Sequence, residues 1–289
     1  MRERFMSDLL RIENINYSYG GTVFALKNVS VSFRAGERVV VLGGNGAGKS
    51  TFFLCCNGVL RPQSGKIFYN EHEISSKKDM YMLRQGVGLV FQDPDSQFIA
   101  GNVESEVSFG PVNLRLPAEE VLHRVDQSLE QMDISRYRDQ APQYLSGGEK
   151  KRVSIADILA MQPSIILIDE PTASLDIKNV DMLEKTLDEL SNKGITIVVS
   201  THDVDFAYKI ATRAVVFAQG EVIADMDMDD IFSSAGILEK AGLKKPLLYE
   251  AFEILQYNLS QEKPLLDETT RKPKNIEEFG KLILKLPPI

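Results

Sequence analysis

Cysteine is nearly absent from this 289-residue chain. The two it has, Cys55 and Cys56, are neighbours, which suits neither a structural disulfide nor a metal site, so they read as buried thiols in a reducing compartment. Long apolar runs are missing too. Those present, such as 39–42 and 165–168, span a few residues against the ~20 needed to cross a bilayer, so no direct membrane insertion is expected. The opening MRERFMSDLL has charge but no continuous apolar stretch and no small-residue cleavage site, which argues against secretion and for a cytoplasmic protein. There is no Lys/Arg block, and 33 basic against 41 acidic residues leave a net charge of −8, which argues against a nucleic-acid surface. Any attraction for phosphate must therefore be local. Glycine (20) and proline (12) are not in excess, and 43% hydrophobic with 26% charged residues is ordinary globular composition. Collagenous, low-complexity and disulfide-scaffold classes drop out. The length suits one large domain or two ordinary ones with a substantial core.

What is present is a rhythm of short apolar runs at 39–42, 165–168, 195–199 and 214–218, the kind expected of strands buried on both faces. Helical-length segments at 181–190 and 204–211 separate the last three, which predicts an α/β fold with a mostly parallel sheet. Residues 12–19 and 23–33 instead alternate apolar with polar around Gly20-Gly21 and predict an antiparallel β flap. From 103 to 160 the pattern is helical, with Val121, Leu122, Val125 and Leu129 spaced for one face and Ile155, Ile158 and Leu159 for another: a helical subdomain, about 95–160, inserted between strands. After Gly220 a turn leads into the acidic stretch 225–230. Beyond Gly242 two amphipathic stripes follow, Leu248, Phe252, Leu255, Leu259 and then Ile276, Phe279, Ile283. These are too apolar to stay wet, so at least one is expected to pack against the main domain or a second copy. The division expected is 1–240 for the main domain and 241–289 for a C-terminal helical extension.

Gly43-Gly44-Asn45-Gly46-Ala47-Gly48-Lys49-Ser50 satisfies G-x-x-x-x-G-K-[ST], directly after the 39–42 strand and before a helix opening at about Lys49. In that context backbone N–H groups converge on phosphates at a helix N-terminus, Lys49 reaches the β- and γ-phosphates, and Ser50 offers its hydroxyl to Mg²⁺. A phosphate loop alone leaves kinases, GTPases and transport ATPases open. The strand 165–168 ends in Asp169 and Glu170, placing one carboxylate for the Mg²⁺ water shell and the next to polarise an attacking water. That is hydrolase chemistry, and nothing marks the acceptor site a kinase would need.

Leu145-Ser146-Gly147-Gly148-Glu149-Lys150-Lys151-Arg152 resembles the signature motif of ATP-binding cassette (ABC) ATPases. The resemblance, over about residues 8–225, implies a P-loop NTPase (RecA-like) cassette that hydrolyses ATP with Mg²⁺. It implies nucleotide contacts along Gly43 to Ser50 and at Thr51, with Ser50, Gln92 and Asp169 at the metal and Glu170, Gln92 and His202 in catalysis. It further implies head-to-tail pairing, each ATP lying between one phosphate loop and the partner's Ser146, Gly147 and Gly148, with Asp176 of Ser174-Leu175-Asp176 crossing the interface. Tyr19 matches the aromatic that stacks on adenine; Tyr17 falls on the same strand face by parity. The family usually has Gln where this chain has Glu149, which adds a negative charge near the second cradle. His72 and His123 read as surface residues.

Phe91-Gln92-Asp93-Pro94-Asp95-Ser96-Gln97-Phe98, then 103–107 and Phe109-Gly110-Pro111, resembles the ATPases of energy-coupling-factor transporters, particularly the cobalt-import branch. That resemblance implies a transmembrane coupling subunit and a substrate-binding membrane subunit as partners, a homodimer or a heterodimer with a related ATPase, and a place on the inner face of the cell membrane. The chain has no metal-ligand cluster of its own for cobalt, so a partner must bind the cargo. The alternatives are another ABC transporter (amino acid, lipid or drug), a soluble non-transport ABC ATPase, disfavoured by a single cassette without sustained heptads, and an inactive regulatory module, disfavoured by Lys49, Glu170 and His202.

Overall fold

The structure, a computed structural model, describes residues 8–173, 175–262 and 272–284, with only the backbone path for 257–262. Two strands, β1 (Asp8–Tyr17) and β2 (Leu26–Arg34), pair antiparallel, and β3 (Arg38–Leu42) leads into helix α1 (Lys49–Cys56). Next come β4 (Ser64–Tyr69), β5 (His72–Glu73), α2 (Lys77–Gly86) and β6 (Val87–Val90). Three helices follow, α3 (Val103–Asn113), α4 (Ala118–Gln131) and α5 (Gly147–Ala160), before the chain returns through β7 (Ile165–Asp169), α6 (Ile177–Asn192), β8 (Thr196–Thr201), α7 (Val204–Ile210) and β9 (Arg213–Ala218). Finally, β10 (Glu221–Asp227) precedes α8 (Met228–Ser233), α9 (Ala235–Ala241), α10 (Leu247–Glu262) and α11 (Ile276–Ile283).

The main sheet has the order β10-β9-β3-β8-β7-β6, parallel apart from the β9–β10 pair. Alternate residues of its strands feed two cores. Val40, Leu42, Ile166, Ile168, Ile197 and Val199 face the helical insertion, whereas Val39, Val41, Ile165, Leu167, Val198 and Phe217 face α1 and the antiparallel flap. A strand buried on both faces can afford only apolar side chains, and this is why these runs lack alternation. The flap is a second sheet, β2-β1-β4-β5; its strands carry one dry face, with Leu10, Ile12, Ile15, Val29 and Phe33 buried.

Several expectations change in detail. The flap strands stop at Tyr17 and resume at Leu26, leaving 18–25 as a loop rather than a tight turn at Gly20-Gly21. The acidic stretch 225–230 begins in the edge strand β10, where Asp225 clamps Arg213 through two bonds of 2.7 and 2.8 Å. Leu122 is 52% exposed, because Val121, Val125 and Leu129 already fill the contact stripe of α4 and Leu122 lies beside it. Cys55 and Cys56 are buried as expected, and burial pushes the Cys55 thiol up to about 12.

The tail is anchored by a residue outside its expected stripe. Tyr249, fully buried, packs edge-on against Tyr208 at 5.8 Å and close to Phe232 at 5.9 Å, and its hydroxyl donates to the Asp229 carbonyl at 3.2 Å. Phe252 is buried on the same helix, one turn on. The α11 stripe, by contrast, leaves Ile276 71% and Ile283 46% exposed; the side chain of Leu259 lies outside the described residues, as does Ser174. Tyr249→Ala should destabilise the chain by about 3 kcal/mol, read from the midpoint of denaturant unfolding, with nucleotide affinity unchanged in folded protein. An unchanged midpoint would show that α10 is not held by this residue.

Candidate nucleotide site

The register of the parallel strands assembles the site. Leu42 pairs with Thr201, Asp169 with Ser200, and Ile168 with Val90, so β3, β8, β7 and β6 end along one edge. The loops leaving those ends carry the phosphate loop, His202, Glu170 and Gln92. Ligand sites of open α/β sheets lie outside such carboxyl ends.

The phosphate loop turns into α1 through Gly48, at φ 108°, and a Cβ there would stand 2.8 Å from the Ala25 carbonyl oxygen. Only glycine lets the loop close on the flap while leaving its amides free to face an anion. Lys49, 6% exposed, curls back so that Nζ donates to the carbonyls of Gly43 (2.8 Å) and Gly44 (3.3 Å) and pairs with Glu170 Oε1 at 3.2 Å. Glu170 Oε2 lies 3.0 Å from His202 Nδ1. Lys49, Glu170 and His202 thus form one chain of contacts, with the carboxylate between two groups that bear or accept a proton. Glu170 itself has a positive φ of 41°, a conformation costly for a side chain of its size. Its N–H donates to the Ser200 carbonyl (3.0 Å) and hydroxyl (3.2 Å), and the Ser200 hydroxyl donates to Asp169 Oδ1. Those bonds hold both carboxylates at the strand end.

Tyr19, Asn45, Gly46, Ala47, Gly48, Lys49, Ser50, Thr51, Gln92, Glu170 and His202 line one cleft of about 460 Å³. Tyr19 is 65% exposed at its mouth, shares a 3.1 Å hydrogen bond with Thr51 Oγ1, and stands edge-on to Tyr17 at 5.0 Å. Tyr17 is half-buried in the flap and does not line the cleft; β1 ends at Tyr17, so the shared strand face expected for the two tyrosines does not extend to Tyr19. Gly43 and Gly44 contribute the carbonyls that Lys49 holds, and Asp169 lies behind Glu170. The oxygen donors of Ser50, Gln92 and Asp169 fit Mg²⁺, which takes one or two carboxylates, waters and substrate phosphates. When bound, the ion would neutralise charge on the phosphoryl oxygens.

Ser146, Gly147, Gly148 and Asp176 are not brought into that cleft. Ser146 caps α5 in a reciprocal box: its N–H and hydroxyl donate to Glu149 Oε2 (2.8 and 2.7 Å) while its Oγ accepts from the Glu149 N–H (3.4 Å). The Tyr137 hydroxyl donates to Glu149 Oε1, and these bonds, Tyr137 first, hold the Glu149 carboxyl below the usual range. Gly148 packs against Asn179, which Asp176 fixes as the cap of α6; a Cβ on Gly148 would meet Asn179 Oδ1 at 2.3 Å. Gly147 lines a second cleft of about 370 Å³ with Asp93, Pro94, Asp95, Lys150, Lys151, Ala173 and Leu175, and Gln92 is shared with the first.

The motifs alone missed the residues that hold the segment after β6. Gln97 accepts from the Phe91 N–H (3.3 Å) and donates to the Ser154 carbonyl (2.9 Å) and Asp157 Oδ2 (2.8 Å). Lys151, 2% exposed, donates to the carbonyls of Phe91 (3.0 Å) and Gln92 (2.8 Å). Burial pushes its ammonium down to about 8, against the fields of Asp169 and Asp93. A signal existed: Lys151 falls on the same α5 stripe as Ile155 and Ile158, an odd place for a cation. Glu106, 2% exposed, accepts the N–H groups of Ile99 (2.9 Å) and Ala100 (2.6 Å).

Asp157 tests this network. Burial pushes its carboxyl up to about 7 from 3.8, with the nearby Glu106 adding to the rise and the Gln97 bond opposing it. The folded state therefore holds an extra proton between about pH 4 and 7, and stability is lost as pH rises through that window and stays reduced above it. Asp157→Asn keeps an acceptor for Gln97 without the charge. Its melting temperature should exceed the parent's by at least about 3 °C at pH 8, and the difference should close towards pH 4; a difference constant with pH would contradict the assignment.

The ABC transporter family model matches residues 26–173. The energy-coupling factor transporter ATP-binding protein EcfA of Methanothermobacter thermautotrophicus is 44% identical over 239 residues, 82% of this chain and 77% of that protein. Among solved structures, cbiO1 of Clostridium perfringens, described as part of the ABC transporter complex cbiONQ, superposes with a TM-score of 0.72 at 39% identity, covering 85% of this chain and 99% of its own. The dimeric cassette MJ0796 in a post-hydrolysis state with ADP and Pi gives 0.68 at 28% identity, over 76% of this chain and 98% of its own. Matched over half its length by the family and over most of it by an energy-coupling factor relative, the chain belongs to the ATP-binding proteins of ABC transporters and is an ATPase that uses ATP with Mg²⁺.

Proposed function

We propose that the chain, through residues 1–240 with 241–289 as an extension, is the ATP-hydrolysing subunit of an energy-coupling-factor importer, with cobalt or a related metal or vitamin as cargo. The observation that carries this reading is the division of the site. Lys49, Asp169, Glu170, His202 and Gln92 gather at one sheet edge, while the capped glycine turn Ser146, Gly147, Gly148 lies outside their cleft. Two copies, or this chain and a related ATPase, would bring one phosphate loop to face the other's turn, with Asp176 at the seam. In that arrangement Lys49 leaves the Gly43 and Gly44 carbonyls for the β- and γ-phosphates, and its pairing with Glu170 is released. Glu170 then accepts a proton from the attacking water, His202 steadies the carboxylate and the γ-phosphate side, and Ser50, Gln92 and Asp169 would hold Mg²⁺, which would neutralise charge on the phosphates.

The membrane side is read from the described residues. Among the described residues no helix is long and apolar enough to cross a membrane and no group of His, Cys, Asp or Glu could hold a metal ion. Passage and cargo recognition therefore fall to partners, a transmembrane coupling subunit and a substrate-binding membrane subunit, with this chain on the cytoplasmic face. The exposed Ile276 and Ile283 of α11 offer apolar surface for pairing with the second ATPase.

Glu170→Gln separates binding from chemistry. Mg-ATP affinity should persist or rise as a carboxylate near the γ-phosphate is neutralised, hydrolysis should fall at least ~100-fold, and sedimentation should show an ATP-dependent dimer. Near-normal turnover would refute the base assignment. The transport reading is tested in vesicles reconstituted with the two membrane subunits: ATP-dependent uptake of Co²⁺, Ni²⁺ or a vitamin, abolished by Glu170→Gln, is expected. Uptake of an amino acid or drug instead would move the chain to another ABC system.

A further inference from the structure

Helix α5 grips the segment after β6 at three successive points. Lys150 Nζ pairs with both carboxylate oxygens of Asp95, at 2.7 and 2.8 Å. Lys151 Nζ reaches the Phe91 and Gln92 carbonyls, and one turn further Ser154 and Asp157 take the amide of Gln97, which itself accepts from Phe91 N–H. The three differ in kind. The Lys150 pair is exposed, a class of contact worth little. Lys151 is 2% exposed, its ammonium donates to backbone carbonyls, and burying such a charge is costly. A hydrocarbon of equal length would fill the space but take the donor from both carbonyls, so the use of the ammonium is to serve the backbone of residues 91 and 92.

The use follows from what the two carbonyls flank. Fixing the oxygens of residues 91 and 92 fixes the peptide planes on both sides of the Gln92 Cα, and with them the direction in which its side chain leaves the backbone. Gln92 is exposed and lines both the phosphate-loop cleft and the cleft beside Gly147. Without a backbone anchor it would sweep many rotamers, which is a poor way to hold a group over Mg-ATP. Lys151 belongs to the helix whose first turn is Gly147 and Gly148.

We propose that Lys151 is the positioning residue for Gln92: by clamping the carbonyls of Phe91 and Gln92 it makes the entry of the Gln92 side chain into the ATP cleft depend on the placement of α5. A movement of the segment 91–97 is thereby passed to Ser146, Gly147 and Gly148 at the start of that helix, and the reverse. The inference rests on the reading of Gln92 as a residue of the Mg-ATP site.

Lys151→Met, Lys151→Arg, Gln92→Ala and the double variant Lys151→Met/Gln92→Ala test it in the full-length chain. Lys151→Met should lower kcat roughly 10- to 100-fold and raise the Mg²⁺ concentration for half-maximal hydrolysis. Affinity for Mg-free ATP should stay within about twofold, because Lys49 and the loop amides are untouched. Without nucleotide, amide hydrogen exchange over 91–97 should quicken in Lys151→Met and not in Lys151→Arg, which keeps its donors. The double variant should be no slower than Gln92→Ala alone, the sign that both residues act through one group. Should Lys151→Met melt below the assay temperature, Lys151→Gln, with one amide donor, takes its place in the cycle. Normal hydrolysis in Lys151→Met, or additive losses in the double variant, would overturn the positioning role and leave the Gln92 assignment standing. Normal hydrolysis in Gln92→Ala would remove that assignment and the inference with it.

Discussion

The structure depends on the in-register ending of four parallel strands. Because β3, β8, β7 and β6 stop together, Asn45, Gln92, Glu170 and His202 come within one cleft although up to 157 positions separate them in the chain. In strands apolar on both faces polarity does not fix the register; the fit of particular side chains does, since a slip of one residue would exchange Val40 and Leu42 for Val39 and Val41 between the two cores. Core packing is thus part of the catalytic geometry, and the buried polar residues at the strand ends, Asp169, Ser200 and Thr201, occur where the apolar requirement lapses.

That dependence explains what the sequence alone could reveal. The phosphate loop and the Asp169-Glu170 pair are short, contiguous and placed by a strand end, so their positions follow from local pattern; His202, also after a strand, was read through the family resemblance. Tyr19 was read from the family resemblance, and strand parity could not separate it from Tyr17, two residues before it; the structure does, because β1 ends at Tyr17 and only Tyr19 lines the cleft. The flap's β4 was hidden because its partner β1 lies far off in the chain; the edge strand β10 pairs with its neighbour β9 and was hidden because it carries acidic residues whose neutralisation by Arg213 appears only in three dimensions. Tyr249 outside the Leu248 stripe, and Ile276 exposed within its own, show the limit of helical periodicity. It finds an amphipathic helix but cannot say which flank its neighbour covers.

The residues around Gln92 are a stronger case. Gln97 and Glu106 stand in a run whose resemblance to a transporter branch was legible, yet their work is to satisfy backbone groups of a loop: Gln97 the Phe91 N–H, and Glu106 the N–H groups of Ile99 and Ala100. Such bonds leave no periodic trace in a sequence. They also cost little to build, since a buried amide that would otherwise lack a partner is satisfied by the side chain that fixes it. The loop is ordered from within.

Glu149 occupies the one signature position where this chain departs from its family's usual Gln. Its carboxylate is engaged on both oxygens, by Ser146 and by Tyr137, and sits at the positive end of α5, where a negative charge is favourable. Capping of the helix is therefore well served. An anion arriving at Gly147 and Gly148 meets a helix end already partly neutralised, and it competes with Glu149 for the single hydrogen of the Ser146 hydroxyl. Gln offers the same acceptor oxygen without the charge and opposes the anion less. Helix stability and phosphate affinity thus pull in opposite directions at this residue. In the proposed pairing of cassettes the chain's own phosphate loop would keep its Lys49 untouched by this conflict, the weakening would fall on the nucleotide held by the partner's loop, and a related ATPase with Gln at this position would give the pair one tighter and one looser site.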